Sequence, residues 1–210
     1  MADATSETLP ATEIFLSFDI ETTGPSPGQG SMISLAWCPV FANYADMTVE
    51  LRHDLNFEVN INEYAPRDFD TMENFWTLHP DAWARTQEQQ RGLRRAMELV
   101  LEQIAFRYEG SGIPYRFAAK PLAFDMSWLR ACMTATFPEK WTALRSVAFS
   151  GLDIGSYLAG MLGVPYTKST SDLCVPEQWR TQNPMRHVAI NDAIEQAELL
   201  RHALLHAMRT

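Results

Sequence analysis

Ile14-Phe15-Leu16-Ser17-Phe18-Asp19-Ile20-Glu21-Thr22-Thr23-Gly24 is the stretch from which the rest of the chain is read. Ile14, Phe15, Leu16, Phe18 and Ile20 make an apolar, β-favouring run. Thr22, Thr23 and Gly24 close it, as expected of a buried strand. Asp19 and Glu21 are set into that run two positions apart, so both side chains leave the same face of the strand. Two carboxylates side by side at the end of an apolar strand repel each other and lose hydration, and a divalent cation with oxygen ligands is the usual compensation. A strand with one polar, solvent-facing side accounts for the same pattern.

The whole chain bounds the answer. Its 210 residues suffice for one domain with a large core. A hydrophobic fraction of 46% and a charged fraction of 20% belong to an ordinary globular protein. The most apolar stretch, from Met32 to Ala42, is interrupted by Ser34 and Pro39 and is too short to cross a bilayer. The first ten residues carry acids and no Lys or Arg, unlike a secretory or mitochondrial leader, so residues 1–12 read as a loose tail and 13–210 as a single domain. Cys38, Cys132 and Cys174 are an odd number without C-x-x-C spacing, which suits a reduced, cytoplasmic setting and argues against a disulfide framework or a cysteine zinc site. The net charge of −9 counts against a protein that coats nucleic acid. It leaves room for an enzyme that holds phosphate through bound metal, because local charge then outweighs the total.

Along the chain, residues 24–30 are a loop on Gly and Pro chemistry alone. Met32–Phe41 and Met47–Leu55 alternate as two further strands, and the short spacings favour an antiparallel meander. Asp70 or Thr71 can cap a short helix carrying Met72, Phe75, Trp76 and Leu78, and Pro80 suits the first turn of another. Leu93, Ala96, Met97, Val100, Leu101 and Ile104 fall at helical spacing, predicting a helix over 92–108. Tyr115–Ala119 reads as a strand reached by a helical crossover, hence parallel to its neighbour. Helices are predicted over 124–137, 153–162 and 188–207, and residues 168–186 lack periodicity. Strands first, then helix, strand and more helices describe an α/β layered fold with a mixed sheet.

Three segments bring acids to element ends. Asp19 and Glu21 end the first strand, Asp125 stands where a strand gives way to a helix, and Asp192 lies in the first turns of the last helix, five residues after His187. Five helical steps separate two side chains by roughly 140°, so His187 faces the same place as Asp192 only from the loop before the helix. Each residue also has a plain structural role open to it. Asp125 fits a helix N-cap, Asp192 with Glu195 fits a capping box, and His187 fits a surface loop.

Taken together, F-D-I-E-T-T-G, then F-D at the head of a helix, then H-x4-D near the C-terminus resembles the DEDDh branch of the 3′→5′ exonucleases. That group includes the proofreading subunit of bacterial DNA polymerase III, RNase T and oligoribonuclease. The resemblance spans about Ile14 to Leu204. It implies a ribonuclease-H-like three-layer fold with a mixed five-stranded sheet flanked by helices, and hydrolysis of single-stranded nucleic acid from its 3′ end to nucleoside 5′-monophosphates. It implies that Asp19, Glu21, Asp125 and Asp192 hold two Mg²⁺ or Mn²⁺ ions and that His187 is the general base. A homodimer is also implied by the resemblance. Thr22, Thr23, Gly24, Trp76, Lys120 and Arg186 are the candidate substrate contacts. Trp76 lies in a segment similar to a Thr-x-x-x-Phe-Trp stretch of some small exoribonucleases, and it fits a core aromatic as well. RNA is slightly favoured over DNA as the substrate, with no residue identifiable as a reader of the 2′-hydroxyl. Arg85, Arg91, Arg94 and Arg95 read as a solvated helix face. A non-catalytic nucleic-acid-binding or scaffold module on the same fold is the alternative.

Overall fold

The computed structural model describes residues 11–141, 150–170 and 174–210. The sheet is built on β1 (Thr12–Thr22), which is buried on both faces along most of its length. Antiparallel to it runs β2 (Met32–Asn43), with Asp19 opposite Ala36 and Glu21 opposite Ser34. The register slips between Glu21 and Thr22, a bulge that ends regular pairing where the two acids sit. On the outer side of β2, β3 (Thr48–Leu51) pairs with Val40–Asn43 and β4 (Phe57–Asn60) pairs with Ser34–Trp37. Pro39 lies in the gap between them, where its missing N–H costs no ladder bond, and its carbonyl accepts the Arg52 N–H at 3.0 Å. The strand expected over 47–55 is shorter than read: β3 ends at Leu51, a short 3₁₀ turn, His53–Leu55, follows it, and β4 lies beyond the expected range.

On the other side of β1, β5 (Tyr115–Ala119) is parallel, with Leu16 opposite Phe117, and β6 (Leu152–Asp153) is parallel to β5. The order β3-β2-β1-β5-β6, with β4 sharing the β2 edge, makes a mixed sheet of five positions and six strands. Thr12 already pairs with Asn43, so the sheet starts within the range read as a tail; residues 1–10 lie outside the described residues.

Six helices flank the sheet among the described residues: α1 (Phe69–Asn74), α2 (Pro80–Thr86), α3 (Leu93–Arg107), α4 (Leu122–Thr136), α5 (Ile154–Leu162) and α6 (Ala189–Arg209). Asp68, rather than Asp70 or Thr71, caps α1, accepting from the Thr71 N–H at 2.8 Å. Strand alternation divides the core. Ile14, Leu16, Phe18 and Ile20 meet Met97, Val100, Trp128 and Met133 of α3 and α4 on one face. Phe15 meets Leu158, Leu200 and Ala203 of α5 and α6 on the other. A third cluster joins Ile33, Trp76, Ala82 and Val188, fastening the α1–α2 segment to β2 and to the residue after His187. At about 1.5–3 kcal/mol per fully buried large side chain, these faces fix the height of each helix against β1. No helix among the described residues is long and apolar enough to cross a membrane.

Candidate metal centre and active site

Ser17, Asp19 and Glu21 share one face of β1, and that face looks at α6. Two hydrogen bonds lock the strand to the helix: the Ser17 hydroxyl donates to the Ala193 carbonyl at 3.0 Å, and the Gln196 amide donates to Asp19 Oδ1 at 2.9 Å. The helix is thereby set so that Asp192, one turn before Gln196, stands beside the acids of β1. From the opposite layer, α4 begins just after β5, and its first turn carries Asp125. The N-cap position of α4 belongs to Pro121, so Asp125 does not cap the helix but projects from inside it.

Glu21 and Asp125 are 6% and 3% exposed, and Asp19 is half-buried. Burial holds the Asp19 carboxyl well above the usual carboxylate range, and the charges of Asp125, Glu21 and Asp192 add to the rise against the Gln196 amide. Burial raises Glu21 in the same way, with Asp192 and Asp125 adding. Burial pushes Asp125 up to about 8, opposed by the backbone N–H groups of Asp125 and Ile20. Asp192 is raised by burial and pulled back by the His187 N–H, the Asn183 amide and the His187 ring. Asp19 and Glu21 thus each feel both Asp125 and Asp192, and the four carboxyls meet at the C-terminal end of β1.

No hydrogen-bond donor among the described residues reaches the Glu21 carboxylate, although it is nearly enclosed. A buried carboxylate without a donor, in mutual repulsion with three others, is a site that a cation completes. Asp19, Glu21, Asp125 and Asp192 thus fit the hard, oxygen-coordinating divalent ions expected of them.

His187 lies two residues ahead of α6, in the left-handed region at φ 64°. Its backbone N–H donates to Asp192 Oδ2 at 2.8 Å, while Asn183 donates to Asp192 Oδ1 at 2.5 Å and to Glu195 Oε2 at 2.8 Å. These bonds replace the capping box: Asp192 caps the loop that carries His187. The imidazole packs against His79 and Phe75, with ring centroids at 4.2 and 4.7 Å. Burial lowers its pKa from the ordinary value, and His79 acts in the same direction.

Two cavities flank the acids. One, of about 390 Å³, is lined by Asp19, Lys120, Thr170, Arg186, His187 and Asp192 among others. The other, of about 310 Å³ and mostly apolar, is lined by Glu21, Thr22, Gly24, Phe75 and Phe124 among others. Lys120 and Arg186 therefore reach the first cavity, and Thr22 and Gly24 the second. The Arg186 side chain is 74% exposed and sits 4.0 Å from Glu195 Oε1. Thr23 is fully buried, its N–H and hydroxyl both paired with the backbone of Ser31. Trp76 is 2% exposed, held between Phe75 and Trp83, and its Nε1 donates to the Thr22 carbonyl at 2.9 Å. Its rings offer no free face to a base; it braces Thr22 from behind.

Sequence reasoning passed over Gln196, Asn183, His79 and Phe75. Gln196 carried a signal, since it falls four residues after Asp192 on the same helix face. Asn183, His79 and Phe75 reach the site from segments whose placement no local pattern gives.

No protein-family model and no curated protein sequence matches this chain. Solved structures do. A 3′-exonuclease that recognises the 3′ end of a histone mRNA stem-loop superposes with a TM-score of 0.66 at 12% identity, over 96% of this chain and 85% of that one. Cell-death related nuclease 4 (CRN-4) gives 0.60 at 13% identity, over 91% of this chain and 63% of that one. A zinc-bound complex of E. coli ExoI with single-stranded DNA gives 0.55 at 12% identity, over 94% and 41%. The nuclease domain of 3′hExo, a DEDDh family member bound to rAMP, gives 0.65 at 12% identity, over 96% and 95%. The chain has the ribonuclease-H-like α/β fold of these nucleases.

Proposed function

We propose that this chain is a metal-dependent 3′→5′ exonuclease that hydrolyses single-stranded nucleic acid, RNA in preference to DNA, to nucleoside 5′-monophosphates. The observation that carries the reading is the convergence of Asp19, Glu21, Asp125 and Asp192 on one another, with the His187 ring beside them, on a fold whose solved neighbours are 3′-exonucleases.

Asp19, Glu21, Asp125 and Asp192 would hold two divalent ions, Mg²⁺ or Mn²⁺, which would supply a polarised water and stabilisation of the leaving 3′ oxygen. His187, whose ring nitrogen lies beside Glu21 and Asp192, would accept the proton of the attacking water. Its depressed pKa keeps it neutral, as a base must be, near neutral pH. Asn183 and Asp192 fix the loop from which it acts. Lys120 and Arg186, at the mouth of the first cavity, pair with backbone phosphate, and the apolar walls of the second, Phe75 and Phe124, take the terminal nucleoside. A cation-loaded centre offsets part of the net charge of −9 where the phosphate must sit. A reduced cytoplasmic setting and a homodimer belong to the same reading.

The test is a 5′-labelled single strand with Mg²⁺, run as matched RNA and DNA oligomers. Laddering from the 3′ end, faster on RNA, is expected. Internal cuts make the chain an endonuclease, and an unchanged strand leaves it a binding module. Asp19→Asn is expected to abolish cleavage at every Mg²⁺ concentration; rescue by high Mg²⁺ would mean that Asp19 is dispensable to the metal centre.

A further inference from the structure

One grouping within the centre does not follow from an all-oxygen site. A carboxylate oxygen of Glu21, one of Asp192 and a ring nitrogen of His187 all lie within 4.8 Å of one another. Glu21 is buried, and no donor among the described residues satisfies it. The His187 ring makes aromatic contacts but no hydrogen bond among the described residues, so a nitrogen lone pair is free to face the two acids. The loop is held to the cluster itself, by the His187 N–H on Asp192 Oδ2 and by Asn183 on Asp192 Oδ1, which leaves the His187 ring nitrogens out of the loop's own bonding.

We propose that Glu21, Asp192 and His187 form a mixed carboxylate–imidazole site that takes Zn²⁺ or Co²⁺, and that a cation held there occupies the imidazole nitrogen needed as the base. The chemistry is one of donor type. Imidazole suits Zn²⁺ and Co²⁺, whereas Mg²⁺ takes oxygen ligands and near-octahedral geometry. A tetrahedral zinc with ligands at about 2.0–2.2 Å needs its donors about 3.3–3.6 Å apart, so donors within 4.8 Å of one another must draw in on binding. The fourth position stays open to water. The first half of the inference stands on donor geometry alone; the second, in which zinc silences the base, rests on the proposed hydrolytic function.

The experiment uses the full chain stripped of metal. Zn²⁺ binding is measured by calorimetry, Co²⁺ binding by its visible absorption, and Mn²⁺ binding by electron paramagnetic resonance. His187→Asn and His187→Gly are the variants, because both residues tolerate the positive φ that alanine resists. Zn²⁺ and Co²⁺ affinity is expected to fall at least about tenfold in both, with Mn²⁺ affinity within about twofold of the parent. In the parent protein, Zn²⁺ and not Mg²⁺ is expected to shift the ring ¹⁵N resonances of His187. Unchanged Zn²⁺ affinity in both variants, or ring resonances that ignore Zn²⁺, overturns the site. Zn²⁺ binding that needs His187 in a protein that Mg²⁺ never activates sustains the site and removes the hydrolytic reading instead. Activity that Mg²⁺ supports and bound Zn²⁺ leaves undiminished overturns the silencing.

Discussion

Asp125 shows how one side chain can be costly to the fold and valuable to a site. It is enclosed at the start of α4 beside Asp153 and within reach of Asp19, and burial pushes its carboxyl up to about 8, the direction expected where ionisation is costly. Replacing it with Asn removes a buried charge without changing its shape. Asp125→Asn is expected to stabilise the metal-free protein by about 1–3 kcal/mol in denaturant unfolding while cleavage is lost. A destabilised variant contradicts the electrostatic account. His79 acts at the same scale. Its ring is the wall against which His187 rests, at 4.2 Å. His79→Ala should lower kcat about tenfold with KM little changed, and His79→Phe should restore most of it by restoring the wall. Equal loss in both variants would mean that the His79 imidazole itself, not its bulk, is required.

At the scale of elements, two devices present the acids. The first is the bulge between Glu21 and Thr22 together with the tight loop that follows. A Cβ on Gly24 would stand 1.7 Å from the Gln29 carbonyl oxygen, so the loop closes only because residue 24 has none. The second is the α1–α2 segment, whose Trp76 supports the Thr22 carbonyl and shares a cluster with Val188. Trp76→Phe keeps the packing and deletes that hydrogen bond. It is expected to cost about 1 kcal/mol of stability and to reduce turnover on all single strands alike. A loss confined to one base at the 3′ end would instead place residue 76 in base recognition.

Across the whole molecule, two buried acids, Glu21 and Asp125, and two half-buried ones, Asp19 and Asp192, make stability depend on pH and cation together. A carboxyl raised in the folded chain binds its proton more tightly there than when unfolded. The stability it contributes is complete below about pH 4 and is lost as the pH rises through its folded value, about 8 for Asp125. Asp19, Glu21 and Asp192 are raised in the same direction. Above about pH 7 His187 is neutral in both states and drops out of the comparison. The chelated protein should therefore melt several degrees lower at about pH 9 than at about pH 7, and Mg²⁺ should remove most of the decline. A melting temperature flat in pH without Mg²⁺ would mean that the acids are solvated.

What the sequence determined by itself was whatever depends on near neighbours. Alternation placed Asp19 and Glu21 on one face of β1, the five-residue spacing put His187 on the loop before α6, and apolar periodicity located α3, α4 and α6 to within a few residues. Only the tertiary structure decided what depends on packing between distant segments. It put Asp68 at the cap of α1, ended the strand expected over 47–55 at Leu51 and added β4 beyond it on the far side of Pro39, turned Trp76 inward to brace Thr22, and brought Gln196 and Asn183 onto the acids. The physical reason is range. Strand and helix periods are written in the order of side chains along the backbone, whereas the partner of a buried polar group is chosen by which layers meet across the sheet, and no local pattern encodes that meeting.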